Sequence, residues 1–198
     1  RGGPVSFAIS AVDIALWDMR AKRANQPLWK LLGGHDPKVR AYVGGIDLDF
    51  TLDELLDQTK DNLARGFRAI KMKVGREDLK QDIARVAAMR EFLGPEIPLL
   101  VDANMRWSVE HAIRASRAFV EHDVFWLEEP IIPDDIAGHA KIEREGALPV
   151  ATGENFHTLY EFRNMIAAGG VSFPEPDVSN CGGVTVWMKV AHMAEANN

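Results

Sequence analysis

The apolar positions of this chain change their period once. Over 6–25 they recur at helical spacing, with Ile9, Val12, Leu16 and Met19 on one face and Ser6 placed to cap the N-terminus. Pro27 opens a second, short helix over 28–32, and Gly33-Gly34 supplies a left-handed stop. Beyond that, short apolar runs alternate with amphipathic stretches. The runs at 39–43, 67–74, 97–102, 124–128, 148–154 and 171–177 read as strands. The stretches at 51–65, 77–92, 109–121, 136–145, 159–168 and 184–196 read as helices. Strict alternation of this kind means parallel strands covered by helices, here about six βα units.

Three of the strands end in an acid at equal intervals. Asp102 closes Leu99-Leu100-Val101, Glu128 follows Phe125-Trp126-Leu127, and Glu154 follows Ala151-Thr152-Gly153. Each step is 26 residues, about the length of a strand, a loop, a helix and a return loop. Equal unit length and acids at successive strand ends favour a (β/α)8 barrel over an open doubly wound sheet, since barrels carry their chemistry at the C-terminal ends of the strands. A complete barrel needs eight strands and ~250 residues, so the chain is about two units short. Each acid taken alone reads as a helix N-cap or a loop acid. Three converging carboxylates repel one another unless a cation sits between them, and oxygen-only ligands suit a hard cation, Mg²⁺ first.

Lys71 and Lys73 stand two apart on the 67–74 strand and face the same way, while Ile70, Met72 and Val74 face the helices. Two neighbouring ammonium groups lower each other's pKa, which fits one of them to act as a base. The plain alternative is a pair of strand-end lysines paired with acids. Asp177, 23 residues beyond Glu154, reads as a fourth ligand, as the partner that orients a histidine, or as a structural strand-end acid. Asn104 is placed to touch substrate or to order Asp102. Trp107, Trp126 and Trp187 read as packing residues, and Asp13 and Asp18 as makers of structural bonds. Gly182-Gly183 reads as a site of close packing, and Gly44-Gly45 as a flexible rim.

Charge and composition narrow the partners. The 198 residues carry a net charge of −6, which leaves no basic surplus for nucleic acid. No apolar run approaches a membrane span. Cys181 is the only cysteine, so disulfides cannot staple the fold; a reducing compartment, the cytoplasm, is expected.

Together, Lys71-Met72-Lys73, Val101-Asp102-Ala103-Asn104, Trp126-Leu127-Glu128-Glu129-Pro130, Gly153-Glu154-Asn155, and Pro176-Asp177 followed by Gly182-Gly183 resemble the enolase superfamily, in its mandelate racemase subgroup. The resemblance implies a (β/α)8-type barrel over 37–198. It implies a helical segment over 1–36 joining that barrel to a capping domain, with capping domain and last strands outside this chain. It implies that Asp102, Glu128 and Glu154 bind Mg²⁺ and that Lys73 removes the proton α to a substrate carboxylate. Lys71 would help to neutralise that carboxylate, and Asp177 would pair with a histidine expected beyond residue 198. None of the six histidines replaces it by position; His157 falls nearest the barrel mouth.

Removing such a proton builds an enediolate, and Mg²⁺ stabilises the new charge. The expected reaction is dehydration of an acid sugar. The alternatives are a racemase or epimerase of a 2-hydroxy acid, and a non-catalytic metal-binding or assembly module. The expected partners are a small-molecule carboxylate and, from the family, further copies of the chain.

Overall fold

Six short strands stand in chain order in one sheet: β1 (Val43–Gly44), β2 (Ile70–Lys73), β3 (Leu99–Asp102), β4 (Val124–Glu128), β5 (Val150–Thr152) and β6 (Phe173–Pro174). The pairs from β1 to β5 are all parallel. Between and around them lie α1 (Pro4–Arg23), α2 (Leu28–Leu31), α3 (Leu52–Ala64), α4 (Leu79–Leu93), α5 (Val109–Phe119), α6 (Ile136–Glu145), α7 (Leu159–Ala167) and α8 (Val184–Glu195). The computed structural model describes residues 2–197; the outermost positions of the two expected segments, 1 and 198, lie outside them. The architecture is that of a (β/α)8-type barrel, present as six consecutive units. Among the described residues no helix is long and apolar enough to cross a membrane.

The strands are shorter than the apolar runs. β1 keeps only two residues of the 39–43 run, because only Val43 and Gly44 find partners, Ile70 and Lys71, across the ladder. Val39 is 89% exposed. Of the 171–177 run only Phe173 and Pro174 are strand, so Asp177 lies in the following loop and not at a strand end.

By compactness the chain divides into two units. One comprises Ala41–Thr152 and Ala168–Phe173. Its core follows the period-2 rule on β2: Ile70, Met72 and Val74 are buried with Val86 and Met89 of α4 and with Leu99 and Val101 of β3. Helix starts here are set by side chains. Thr51 and Glu54 form a reciprocal capping box on α3, and Asp78, Ser108 and Asp135 cap α4, α5 and α6. Phe119, at the end of α5, is fully buried beside Trp107. Phe119→Ala is expected to lower stability by about 3–5 kcal/mol, measured by chemical denaturation; a loss under about 1 kcal/mol would contradict that packing.

The other unit comprises Arg1–Arg40, Gly153–Ala167 and Pro174–Asn198. Here α1 departs from its sequence pattern. It starts at Pro4 behind Gly3, so Ser6 is not its cap but a buried residue of the first turn. Ile9, Val12, Leu16 and Met19, the expected buried stripe, are 54–61% exposed. The packed face is the small, polar one. Ser10 Oγ accepts the Gly182 N–H at 3.0 Å. The Asp13 carboxylate accepts the Thr185 N–H at 3.0 Å and its hydroxyl at 2.6 Å. A Cβ on Gly183, whose φ is +87°, would collide with Asp13. Close approach to the start of α8 therefore selects small and hydrogen-bonding residues on α1, and the glycine pair and Asp13 are structural, as read. Asp18 makes only an exposed ion pair with Lys22.

Candidate active site

Lys73, Asp102 and Glu128 are each the last residue of their strand, and the ladder aligns them. Lys73 stands opposite Asp102, and Asp102 opposite Glu128. One row at the C-terminal edge of three adjacent parallel strands thus carries an ammonium and two carboxylates. The next position in the row is Ala151 of β5. Both acids are 1% exposed. Lys73 Nζ lies 2.6 Å from Asp102 Oδ2, and Lys71 Nζ 3.4 Å from the same oxygen. Lys71 also forms a short ion pair with Glu128 Oε1. Both lysines turn away from the buried Ile70–Met72–Val74 face, as their spacing predicts.

The electrostatics correct one expectation. Lys71 is not tuned downward by its neighbour lysine. Burial lowers its pKa, but the charges of Glu128 and Asp102 outweigh burial and hold it above the usual lysine value. Burial likewise works against Asp102, yet the Lys73 hydrogen bond and the two ammonium charges hold its carboxyl below the usual range. Glu128 goes the other way: burial first, and the Asp102 charge second, push it up to about 7 against the pull of Lys71. Two buried carboxylates side by side, one of them reluctant to ionise, make a site that gains from a further positive charge. Their oxygen-only donor set fits Mg²⁺.

Each acid is braced. Asp102 Oδ1 accepts the Asn104 N–H at 2.9 Å. Asn104 lies past the strand with φ +43°, so it does not share a strand face with Asp102; it orders the carboxylate through its main chain. Trp126, a packing residue by sequence, also donates its Nε1 to Glu128 Oε2 at 3.1 Å. Tyr42 packs edge-on against Trp126 at 5.5 Å, and the Lys71 ammonium sits over the Tyr42 ring at 5.0 Å.

Glu154 and Asp177 belong to the other compact unit. Asn180 Nδ2 donates to the Glu154 main-chain oxygen at 2.8 Å, and the Asp177 carboxylate accepts the Ser179 N–H at 2.6 Å. His157, in that same unit, packs its ring 5.4 Å from Phe7. Among the described residues no three His, Cys, Asp or Glu side chains are placed to hold a metal ion.

Sequence reasoning missed Asp47. It is fully buried, and its carboxylate accepts the Lys73 N–H at 2.8 Å and Gln58 Nε2 at 3.0 Å. The available signal was an acid three residues past a strand end, flanked by Ile46 and Leu48. Of Gly44-Gly45, expected as a flexible rim, Gly44 is exposed and Gly45 half-buried, where a Cβ would meet the end of the Gln58 side chain.

Residues 54–198 match the Enolase C-terminal domain-like family, and residues 2–33 match the mandelate racemase / muconate lactonizing enzyme N-terminal domain. The chain is 59% identical over its whole length to the 3,6-anhydro-alpha-L-galactonate cycloisomerase of Streptomyces coelicolor, of which it covers 55%. It superposes with TM-score 0.99 and 59% identity on the crystal structure of a racemase from Streptomyces coelicolor with bound magnesium, covering all of this chain and 56% of that one. It superposes with TM-score 0.93 and 38% identity on the crystal structure of L-talarate dehydratase from Polaromonas sp. complexed with Mg and L-glucarate, covering 100% of this chain and 56% of that one. The chain therefore spans about half the length of these relatives. It belongs to the enolase superfamily, in its mandelate racemase/muconate lactonizing enzyme family.

Proposed function

We propose that this chain carries the metal- and base-bearing part of a Mg²⁺-dependent enzyme that removes the proton α to the carboxylate of an acid sugar and expels the oxygen on the neighbouring carbon. The observation that carries the reading is the row Lys73–Asp102–Glu128 at the ends of three adjacent parallel strands. Asp102 and Glu128, with Glu154 as third ligand, would hold Mg²⁺, which supplies Lewis-acid stabilisation of the charge that builds on the substrate carboxylate. Lys73, as the free amine, takes the α-proton and becomes an ammonium. Lys71, held as an ammonium by Glu128 and Asp102, offsets the negative charge of the carboxylate. Asn104 and Trp126 keep the two acids oriented. Asp177 keeps the role of partner to a histidine.

The leaving oxygen decides the product. A β-hydroxyl leaves as water, and the reaction is a dehydration. In a 3,6-anhydro sugar acid the oxygen on C3 is a ring ether, so the same elimination opens the ring and loses no atoms. The 59% identity to a cycloisomerase favours this second outcome as a specific alternative to dehydration. Incubation of the full-length protein and Mg²⁺ with 3,6-anhydro-α-L-galactonate, L-talarate and other six-carbon sugar acids in D₂O separates the readings. A product lighter by one water marks a dehydratase, and a ring-opened product of unchanged composition a cycloisomerase. Deuterium in otherwise unchanged or inverted substrate marks a racemase. Mg²⁺ binding with no α-proton exchange on any of them would sink the enzymatic reading in favour of a binding module.

A further inference from the structure

The N–H groups of β2 alternate between its two neighbours. That of Ile70, and that of Val74 just past the strand end, point to β3, reaching Pro98 O at 3.0 Å and Asp102 O at 2.9 Å. The Lys73 N–H therefore points to the β1 side. There β1 has already ended at Gly44, whose partner is Lys71. No strand backbone is left to accept the Lys73 N–H, and the Asp47 carboxylate does so at 2.8 Å. Asp47 is itself held from two sides. Gln58 of α3 donates to its other oxygen at 3.0 Å, and Arg85 of α4 donates to its main-chain oxygen at 2.8 Å. Arg85 also binds Phe50 O at 2.6 Å, so the loop carrying Asp47 is tied down at two points. Just past Lys73, a second buried carboxylate, Asp82, accepts the N–H groups of Gly75 and Arg76 at 2.9 and 3.0 Å.

We infer that Asp47 is a positioning residue for Lys73: its carboxylate completes the ladder where β1 runs out and fixes the main chain from which the base projects. This rests on the reading of Lys73 as the base. Asp47 makes no hydrogen bond to the Lys73 ammonium or to the two acids among the bonds that hold them; it holds the base through its main chain, with a longer-range charge interaction beside that bond, and Asp47→Asn separates the two. Displacement of a reacting group by about 1 Å costs on the order of 10²-fold in rate.

The test compares Asp47→Ala, Asp47→Asn and Lys73→Ala in the full-length Mg²⁺-loaded protein, with 3,6-anhydro-α-L-galactonate and L-talarate as probes. Asp47→Ala is expected to lower kcat about 10²-fold with KM and Mg²⁺ affinity unchanged. Asp47→Asn, whose amide oxygen still accepts the Lys73 N–H while Gln58 turns its own amide, restores most of that loss. Wild-type kcat in Asp47→Ala, beside a Lys73→Ala slowed by roughly 10²–10⁴-fold, overturns the positioning role and leaves the base reading intact. A kcat in Lys73→Ala within about 10-fold of wild type overturns the base reading itself. Equal losses in the alanine and asparagine variants also overturn the inference. Should Asp47→Ala fail to fold, Gln58→Leu decides: a several-fold drop in kcat at constant KM supports the inference, and wild-type kcat overturns it.

Discussion

Lys73→Ala in the full-length, Mg²⁺-loaded protein is expected to lower kcat by roughly 10²–10⁴-fold, the range that a positioned general base contributes. Exchange of the substrate α-proton with D₂O should fall by the same factor, because proton removal is the step lost. Mg²⁺ affinity should not fall. The Lys73 ammonium lies 2.6 Å from Asp102 and competes with any other cation for that carboxylate, so its removal holds affinity constant or raises it. Calorimetric titration with Mg²⁺ beside the exchange assay separates the two roles. Loss of Mg²⁺ binding in this variant would place Lys73 in the support of the metal site and not in proton transfer.

The second large effect concerns the acids. Glu128→Gln is expected to weaken Mg²⁺ by more than the roughly 10–100-fold that loss of a supporting contact costs, since a ligand charge is removed. The wild-type affinity should itself depend on pH, because only the ionised carboxylate binds. Glu128 is pushed up to about 7, so affinity is full above that value and declines as pH falls through it. Glu128→Gln should flatten this dependence. For the metal-free protein the sign on stability is opposite. A carboxyl whose folded pKa stands above its unfolded value of 4.5 binds more protons when folded, so its contribution to stability shrinks as pH rises from there to about 7. Asp102→Asn should destabilise the metal-free protein by about 3–5 kcal/mol, as when one partner of a buried ion pair is removed, since both lysines lean on it. Denaturation curves with and without Mg²⁺ check each sign.

Much of the site is legible from spacing. Lys71 and Lys73 share a face because strand residues two apart must, and the structure puts their apolar neighbours in the core. Asp102 and Glu128 each close a strand, as their apolar runs predict, and the ladder sets them opposite one another; the equal spacing does not extend the row of acids, since Ala151 stands next in it. Other parts are not legible. Trp126 looks like core until its indole nitrogen is seen on Glu128. The α1 stripe has flawless helical spacing and is nevertheless exposed, because the start of α8 approaches the opposite face through Gly182 and Gly183.

The order of βα units, Asp102 and Glu128 as the last residues of β3 and β4, and the chemistry they can carry are local properties, written in periods of 2 and 3.6 and in loop lengths; the sequence alone determined them, whereas the ends of β5 and β6, at Thr152 and Pro174, it did not. What only the tertiary structure decided is which atoms meet. The row Lys73–Asp102–Glu128 depends on the register of two strand pairs. The raised pKa of Lys71 depends on two acids from other strands. The reach of Asp47 to the Lys73 N–H depends on where β1 stops. Each is fixed by contacts between segments 26 or more residues apart, and no local pattern encodes such a distance.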